Sequence, residues 1–334
     1  MAGSGAIPTR PFGKTGVKVS ALGLGGHHLG AAKDEQTAVE IVHRALDGGI
    51  TFFDCCWEYN RGKSEGWLGK GLKGARDKAF LMTKVCTHGR DASLAMQMLE
   101  QSLRRLQTDH LDLWQIHGVS FPNDPDLFIR PGGAAEALEK AKKDGKVRFT
   151  GFTGHKDPDI HLAMLKTGFA FDAVQMPLNP FDANFHSFEQ KVLPVLNQRG
   201  IAPIGMKPIG GHGEPVQKGV FTAQELLGYA MSLPVAVTLS GVSEPEILEQ
   251  NLKVAQGFTP LSQEEMQKLR ERAKPYAGDG QFELYKVSIK FDNPEARIAH
   301  EFPLDPKQVE VQQMIHSTQN TGRPYPQVTD SPGA

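Results

Sequence analysis

Four polar residues stand where apolar runs of this sequence stop. The run 50–54 ends in Asp54, the run 79–83 is followed at once by Lys84, the run 111–117 ends in His117, and the run 172–176 carries Gln175. Extended chain alternates its side chains, so Asp54 shares a face with Phe52, Lys84 with Met82, and His117 with Gln115 and Leu113. If those faces turn toward one interior, a carboxylate, an ammonium and an imidazole from consecutive strands meet at its end. Tyr59, five residues past Asp54, sits on the loop that leans over the same place.

Such a group is suited to one kind of proton chemistry. A phenol titrates near pH ~10 in water and gives up its proton reluctantly at neutral pH. A nearby ammonium stabilises the phenolate and lowers that value, and a carboxylate keeps the ammonium charged and oriented. Tyr59 is thus the expected general acid, Lys84 its tuner and Asp54 the anchor of Lys84. His117 is expected to donate a hydrogen bond to a substrate oxygen. The set contains no strong nucleophile and no metal cage. It suits protonating an alkoxide as it forms, which is what hydride transfer to a carbonyl requires. One charged residue at a strand end is usually a solvated boundary; Asp, Lys and His ending consecutive strands seldom coincide by chance.

The elements that must position these residues follow a regular order. Residues 9–20 read as a short hairpin around a Lys-Thr-Gly turn. Strand-like runs then recur at 21–25, 50–54, 79–83, 111–117, 147–152, 172–176, 201–206 and 235–240. Helical periodicity fills the gaps, with Asp34 as an N-cap and Gly48-Gly49 as a stop for the first helix. Repeated strand–helix pairs imply a parallel sheet with crossover helices. Eight of them close into a barrel, so the expected fold class is α/β, a (β/α)8 TIM barrel with an N-terminal β-hairpin and an extended C-terminal tail. An open doubly wound sheet fits less well, because LGLGGHHLGAAK is a poor match to a dinucleotide-binding glycine pattern. The expected organisation is a flexible N-terminus over 1–8, the barrel over 9–274, and an irregular tail over 275–334.

Composition narrows the partners. Lys and Arg number 37 against 38 Asp and Glu, a net charge of −1, so nothing favours nucleic acid. No apolar run reaches membrane-spanning length. Cys55, Cys56 and Cys86 are the three cysteines, too few for a disulfide framework. A small-molecule partner and a cytoplasmic location are expected, an export signal removed upstream being the alternative; oligomeric state is not legible.

The residues that carry this chemistry also carry a family likeness. FGKTGVKVSALGLGG, FFDCCWEYN, LMTKV and SLRRLQTDHLDLWQIH resemble the successive blocks of the aldo-keto reductases over roughly residues 10–257. The resemblance implies that Asp54, Tyr59, Lys84 and His117 form a catalytic tetrad, and that an aldehyde or ketone, including a sugar, is reduced by hydride from NADPH, with NADH the alternative. It implies cofactor contacts at Gly25, Thr153, Gly154, Gln175, Met206, Lys207, Gly211, Gly241, Ser243, Gln250 and Asn251. The chain departs from the family pattern at several places. Thr153-Gly154 replaces a Ser-Asn pair, Met206 an aromatic, Ile247 a polar residue at the adenosine phosphate, and Cys55-Cys56 two small or hydroxyl residues.

His27, His28, Trp57 and His88 are expected around the substrate, with His155 and His212 on nearby loops. No metal is expected, because no His or Cys pair has familiar ligand spacing. Two rival functions remain: a metal-dependent barrel hydrolase, which would want His-x-His where the chain has GGHHLG, and a cofactor-binding regulatory subunit with vestigial turnover.

Overall fold

The computed structural model describes residues 5–85, 91–288 and 291. A hairpin of β1 (Thr9–Pro11) and β2 (Lys18–Ser20) precedes eight strands: β3 (Leu22–Gly25), β4 (Phe52–Asp54), β5 (Phe80–Val85), β6 (Leu111–Ile116), β7 (Val147–Thr153), β8 (Ala173–Pro177), β9 (Ala202–Met206) and β10 (Val237–Gly241). Each pairs in parallel with its sequence neighbour, and β10 returns to β3 with Ser240 opposite Leu24, which closes the barrel. The expected (β/α)8 barrel with its hairpin is what the chain forms.

Local chemistry sets the helix starts. Asp34 accepts from the Thr37 amide at 2.8 Å to begin the helix Glu35–Asp47, and Asp91 accepts from the Leu94 amide to begin Ala92–Leu106. Both side chains satisfy amides that a first helical turn leaves without intrahelical partners. Helix Pro245–Gln256 begins with proline, which has no amide proton to lose there.

Two apolar layers result from the strand alternation. One face of each strand packs against the surrounding helices through residues such as Leu24, Phe53, Leu81 and Trp114. The other face fills the barrel with Phe52, Phe80, Met82, Leu113, Ile204 and Leu239. The hairpin inserts Phe12 into the bottom of this interior. Its ring lies 4.7 Å from Phe80 and 6.0 Å from Phe52, centroid to centroid. The barrel is therefore a packed core below and is open to polar residues only at the carboxyl ends of its strands.

Beyond the last long helix, Gln263–Ala273, the described part of the tail packs on the barrel top. Phe282 joins Phe181 and Phe221, while Lys286 is buried between Asp182 at 2.6 Å and Glu283 at 3.0 Å. Burial pushes the Glu283 carboxyl up to about 7, Lys286 drawing it back. The Tyr285 hydroxyl donates to Glu283 at 2.8 Å, which fixes its ring over the strand ends. At the other terminus Ile7 is 5% exposed and lies against Gly49, while Gly5 and Ala6 before it are exposed.

Truncating the plug, Phe12→Ala, is expected to cost about 3–5 kcal/mol, the usual range for a buried phenylalanine. For a chain of this size that is a fall in Tm of roughly 5–10 °C. A variant melting within a degree of the parent would show that Phe12 does not seal the barrel.

Candidate active site

The polar groups stand at the carboxyl ends of their strands. Asp54 pairs with Met82, Lys84, two residues further along β5, pairs with Gln115, and Thr153 pairs with Gln175, so Asp54, Lys84 and Gln175 lie above the apolar plug. Lys84, 1% exposed, is held by three contacts. Its ammonium is ion-paired to Asp54, donates to the Cys55 carbonyl at 2.8 Å and reaches the Tyr59 hydroxyl at 3.3 Å.

Tyr59 is brought there by the loop after β4. The Trp57 amide donates to the Lys84 carbonyl at 3.0 Å, which ties the loop to β5. Asn60 and Arg61 then take left-handed backbone (φ 51 and 59), turning the chain back, and the Asn60 amide donates to the His27 carbonyl at 2.8 Å. The Tyr59 ring packs edge-on against His27 at 5.2 Å and His117 at 5.7 Å.

The electrostatics differ from the sequence-based expectation. Burial pushes the Tyr59 phenol above its ordinary value, and Lys84 only partly offsets this. Burial also pushes the Asp54 carboxyl up, against the pull of Lys84. Lys84 is itself drawn down by burial but ends above its ordinary value, because Asp54 and Tyr59 favour its charge. The expected lowering of the phenol is therefore corrected. In a dry mouth, desolvation of a phenolate outweighs one ammonium already shared with a carboxylate.

The mouth opens into a cleft of about 600 Å³ lined by Gly25, His27, His28, Asp54, Tyr59, His117, Thr153, Gln175, Met206, Lys207, Gly211, Gly241 and Ser243. Those positions are brought together. Lys84 lies beneath Tyr59 rather than on the wall. Other expected contacts fall elsewhere. Trp57 is turned away from the cleft, its indole donating to Gln101 at 2.7 Å with Arg105 over the ring; an indole needs a partner for its N–H, and the helix Ala92–Leu106 supplies one. Gly154 is packed under Val119 and His161. Asn251 donates to Ser240 at 3.0 Å inside the protein, and Gln250 is exposed on the helix; neither lines the cleft. His88 and Cys86 lie outside the described residues.

The cleft also holds residues that the sequence reading passed over: Glu58, Asn60, Pro208 and Phe291. Glu58 Oε1 lies 2.5 Å from His117 Nδ1. The only signal for it was an acid directly before the tyrosine. Cys56 Sγ lies 3.4 Å from the same nitrogen, so Cys56, Glu58 and His117 offer S, O and N atoms within 4.8 Å of one another. Two donors sharing one zinc ion at ~2.0–2.2 Å each in tetrahedral array would stand about 3.3 Å apart. The Glu58–His117 spacing is that of a hydrogen bond.

Along the groove from Gly25 to Gly241 the charge is positive. His27 is pulled down to about 4 by burial and by His28, Lys207 and His212. Lys207 is pulled down to about 8 by burial and by Lys84. The groove is narrow where glycines form it: a Cβ at Gly241 would run into the His28 ring. The Lys207 ammonium beside bare glycine backbone gives this wall of the cleft a positive charge that an anionic group can approach closely.

A closed parallel barrel whose mouth gathers a carboxylate, an ammonium, a phenol and an imidazole beside a cationic groove is the class of protein that fold and site define. The sequence profile of the aldo/keto reductase family matches residues 21–213, and the chain belongs to that family. It is 31% identical over 208 residues to the aldo-keto reductase YhdN of Bacillus subtilis, a match covering 57% of this chain and 58% of that one. It is 34% identical over 158 residues to an L-galactose dehydrogenase of Arabidopsis thaliana, covering 44% of this chain and 49% of the other. The matched stretches thus span about half of these two relatives. A solved aldo-keto reductase of Bacillus halodurans, in its holo form, superposes with a TM-score of 0.68 at 25% identity, covering 80% of this chain and 97% of that one.

Buried neutral imidazoles make stability depend on acid. His27 and His161 both titrate at about 4 in the folded chain, against about 6.5 when exposed. Between those values the unfolded chain binds protons that the folded chain refuses, so the stability present above pH ~6.5 is lost as pH falls toward ~4. Tm should decline across that window, with a shallower slope in His161→Gln; a flat Tm would show these rings to be solvated.

Proposed function

We propose that the protein is a nicotinamide-dependent carbonyl reductase in which Tyr59 is the proton donor. The observation that carries this is the 3.3 Å approach of the Lys84 ammonium to the Tyr59 hydroxyl, with Lys84 paired to Asp54 and the groove beside them cationic. A bound reduced nicotinamide supplies hydride to the carbonyl carbon. The residues do the rest. Tyr59 stays protonated at neutral pH because burial disfavours its phenolate. As negative charge grows on the substrate oxygen, the hydroxyl gives up its proton, and the phenolate left behind lies against the Lys84 ammonium. Asp54 keeps that ammonium charged and in place.

Gln175, 1% exposed, has its carbonyl oxygen engaged by Gln115 at 3.1 Å, and its amide group donates toward Met206 and Asp54 at the edge of the cleft, where it is the proposed partner of the carboxamide. Thr153 lies beside it in register. Lys207, Gly211, Gly241 and Ser243 are the proposed contacts for the phosphates. NADPH is the proposed cofactor and an aldehyde, ketone or sugar the substrate. The sugar class is supported by the relative named for L-galactose.

Tyr59→Phe is expected to lower turnover of an aldehyde panel at least a hundredfold while NADPH still binds, as read by quenching of protein fluorescence. Turnover equal to the parent would remove the assignment. Lys207 gives a pH test. With its ammonium titrating at about 8, cofactor affinity should hold below that pH and weaken as pH rises through it, because a neutral amine no longer attracts phosphate. Lys207→Met should bind more weakly at pH 7 and lose this dependence; a dependence that survives in the variant would place the charge elsewhere.

A further inference from the structure

Glu58 takes no part in the proton transfer proposed above, yet its carboxylate reaches the imidazole at the mouth. Glu58 Oε1 and His117 Nδ1 are 2.5 Å apart, with side chains 13% and 17% exposed. An ionised carboxylate can only accept a hydrogen bond, so the proton between them belongs to Nδ1. Cys56 Sγ, 3.4 Å from that nitrogen, does not reverse this, since its thiol can donate to the Lys84 carbonyl at 3.5 Å. A neutral imidazole carries one N–H. With that proton on Nδ1, Nε2 holds a lone pair, which accepts from a hydroxyl and repels a carbonyl oxygen. With Nδ1–H held by Glu58, only the imidazolium, with both nitrogens donating, can offer Nε2–H to a carbonyl.

We propose that Glu58 is a positioning residue that fixes His117 with its proton on Nδ1, so that Nε2 distinguishes the two oxidation states of the substrate. Nε2 accepts from the hydroxyl of an alcohol and, as imidazolium, donates to the oxygen of a carbonyl. In reduction the hydride pair goes to the carbonyl carbon and the Tyr59 proton to the oxygen, while His117 lends a hydrogen bond without breaking its own N–H. In oxidation the same atoms run backward: the imidazolium donates Nε2–H to the alcohol oxygen while the hydroxyl proton goes to the Tyr59 phenolate and the hydride pair leaves the carbon. An alcohol that rests with its hydroxyl donated to a bare Nε2 must therefore first release that bond. The sequence-based expectation of His117 as a plain donor thus becomes conditional on a second proton. Only the kinetic part of the test rests on the reductase reading.

The test combines a spectroscopic and a kinetic measurement on the full chain. In the ¹⁵N spectrum of histidine-labelled protein without substrate, His117, assigned by its loss in His117→Gln, should show Nδ1 protonated and Nε2 bare. Glu58→Asp and Cys56→Ala should keep that tautomer, and Glu58→Leu, which has no acceptor, should lose it. A parent protonated on Nε2, a Glu58→Leu variant with the parent's tautomer, or a Cys56→Ala variant that changes it overturns the proposal. Kinetically, Glu58→Gln should lower kcat for an aldehyde about tenfold or more with KM for NADPH unchanged, and Glu58→Asp should recover part of it. In a His117→Gln background Glu58→Gln should cost nothing further. An equal loss in both backgrounds would show that Glu58 does not act through His117. Should the chain reduce no carbonyl at all, the reductase reading fails while the ¹⁵N result still decides the tautomer.

Discussion

A lysine and an aspartate buried together above an aromatic plug are the constraint on which the rest of this mouth depends. Neither charge is tolerable there alone: an unpaired ammonium or carboxylate in a dry barrel costs several kcal/mol. Paired, they stay charged, and Lys84 is left with two further donor directions. One goes to the Cys55 carbonyl and the other to the Tyr59 hydroxyl. The plug of Phe12, Phe52 and Phe80 beneath denies water from below, so the only polar exit is upward, toward the cleft.

Burial acts on every titratable group at this mouth, with different consequences. It raises the phenol of Tyr59, lowers the imidazole of His27 and lowers the ammonium of Lys207. The phenol and the His27 imidazole are thereby held neutral at neutral pH, whereas Lys207, at about 8, keeps most of its charge. A site poised in this way is costly when empty. Its rigidity comes from neighbours outside the chemistry: Trp57 tied to Gln101, Asn60 to His27, and Tyr285 held over the top by Glu283.

Of the positions where the chain departs from the family it resembles, Cys56 lies at the His117 ring, on which Glu58 also converges. Met206 takes the place of an aromatic and touches Gln175 through its sulfur at 3.6 Å.

The barrel, the hairpin and the convergence of Asp54, Lys84, Tyr59 and His117 were legible in the sequence because they are written in short-range signals. A period-two alternation places side chains on faces, a run of apolar residues ends at a polar one, and the strand–helix repeat fixes the topology. Parity within a strand and order along the chain suffice for those. What the sequence could not express was the sign of competing long-range terms. Whether Tyr59 is raised or lowered depends on how far water is excluded, which Phe12 and the tail residues Phe282 and Tyr285 help set from distant parts of the chain. Trp57 reads as a pocket residue from its place in the loop, yet the tertiary structure turns it outward, because Gln101 and Arg105 on the helix Ala92–Leu106 satisfy it. The bond from Glu58 to His117 joins residues far apart in sequence. Neither residue type nor spacing encodes it, since it exists only where two strand ends and a left-handed turn bring a carboxylate and an imidazole to one point.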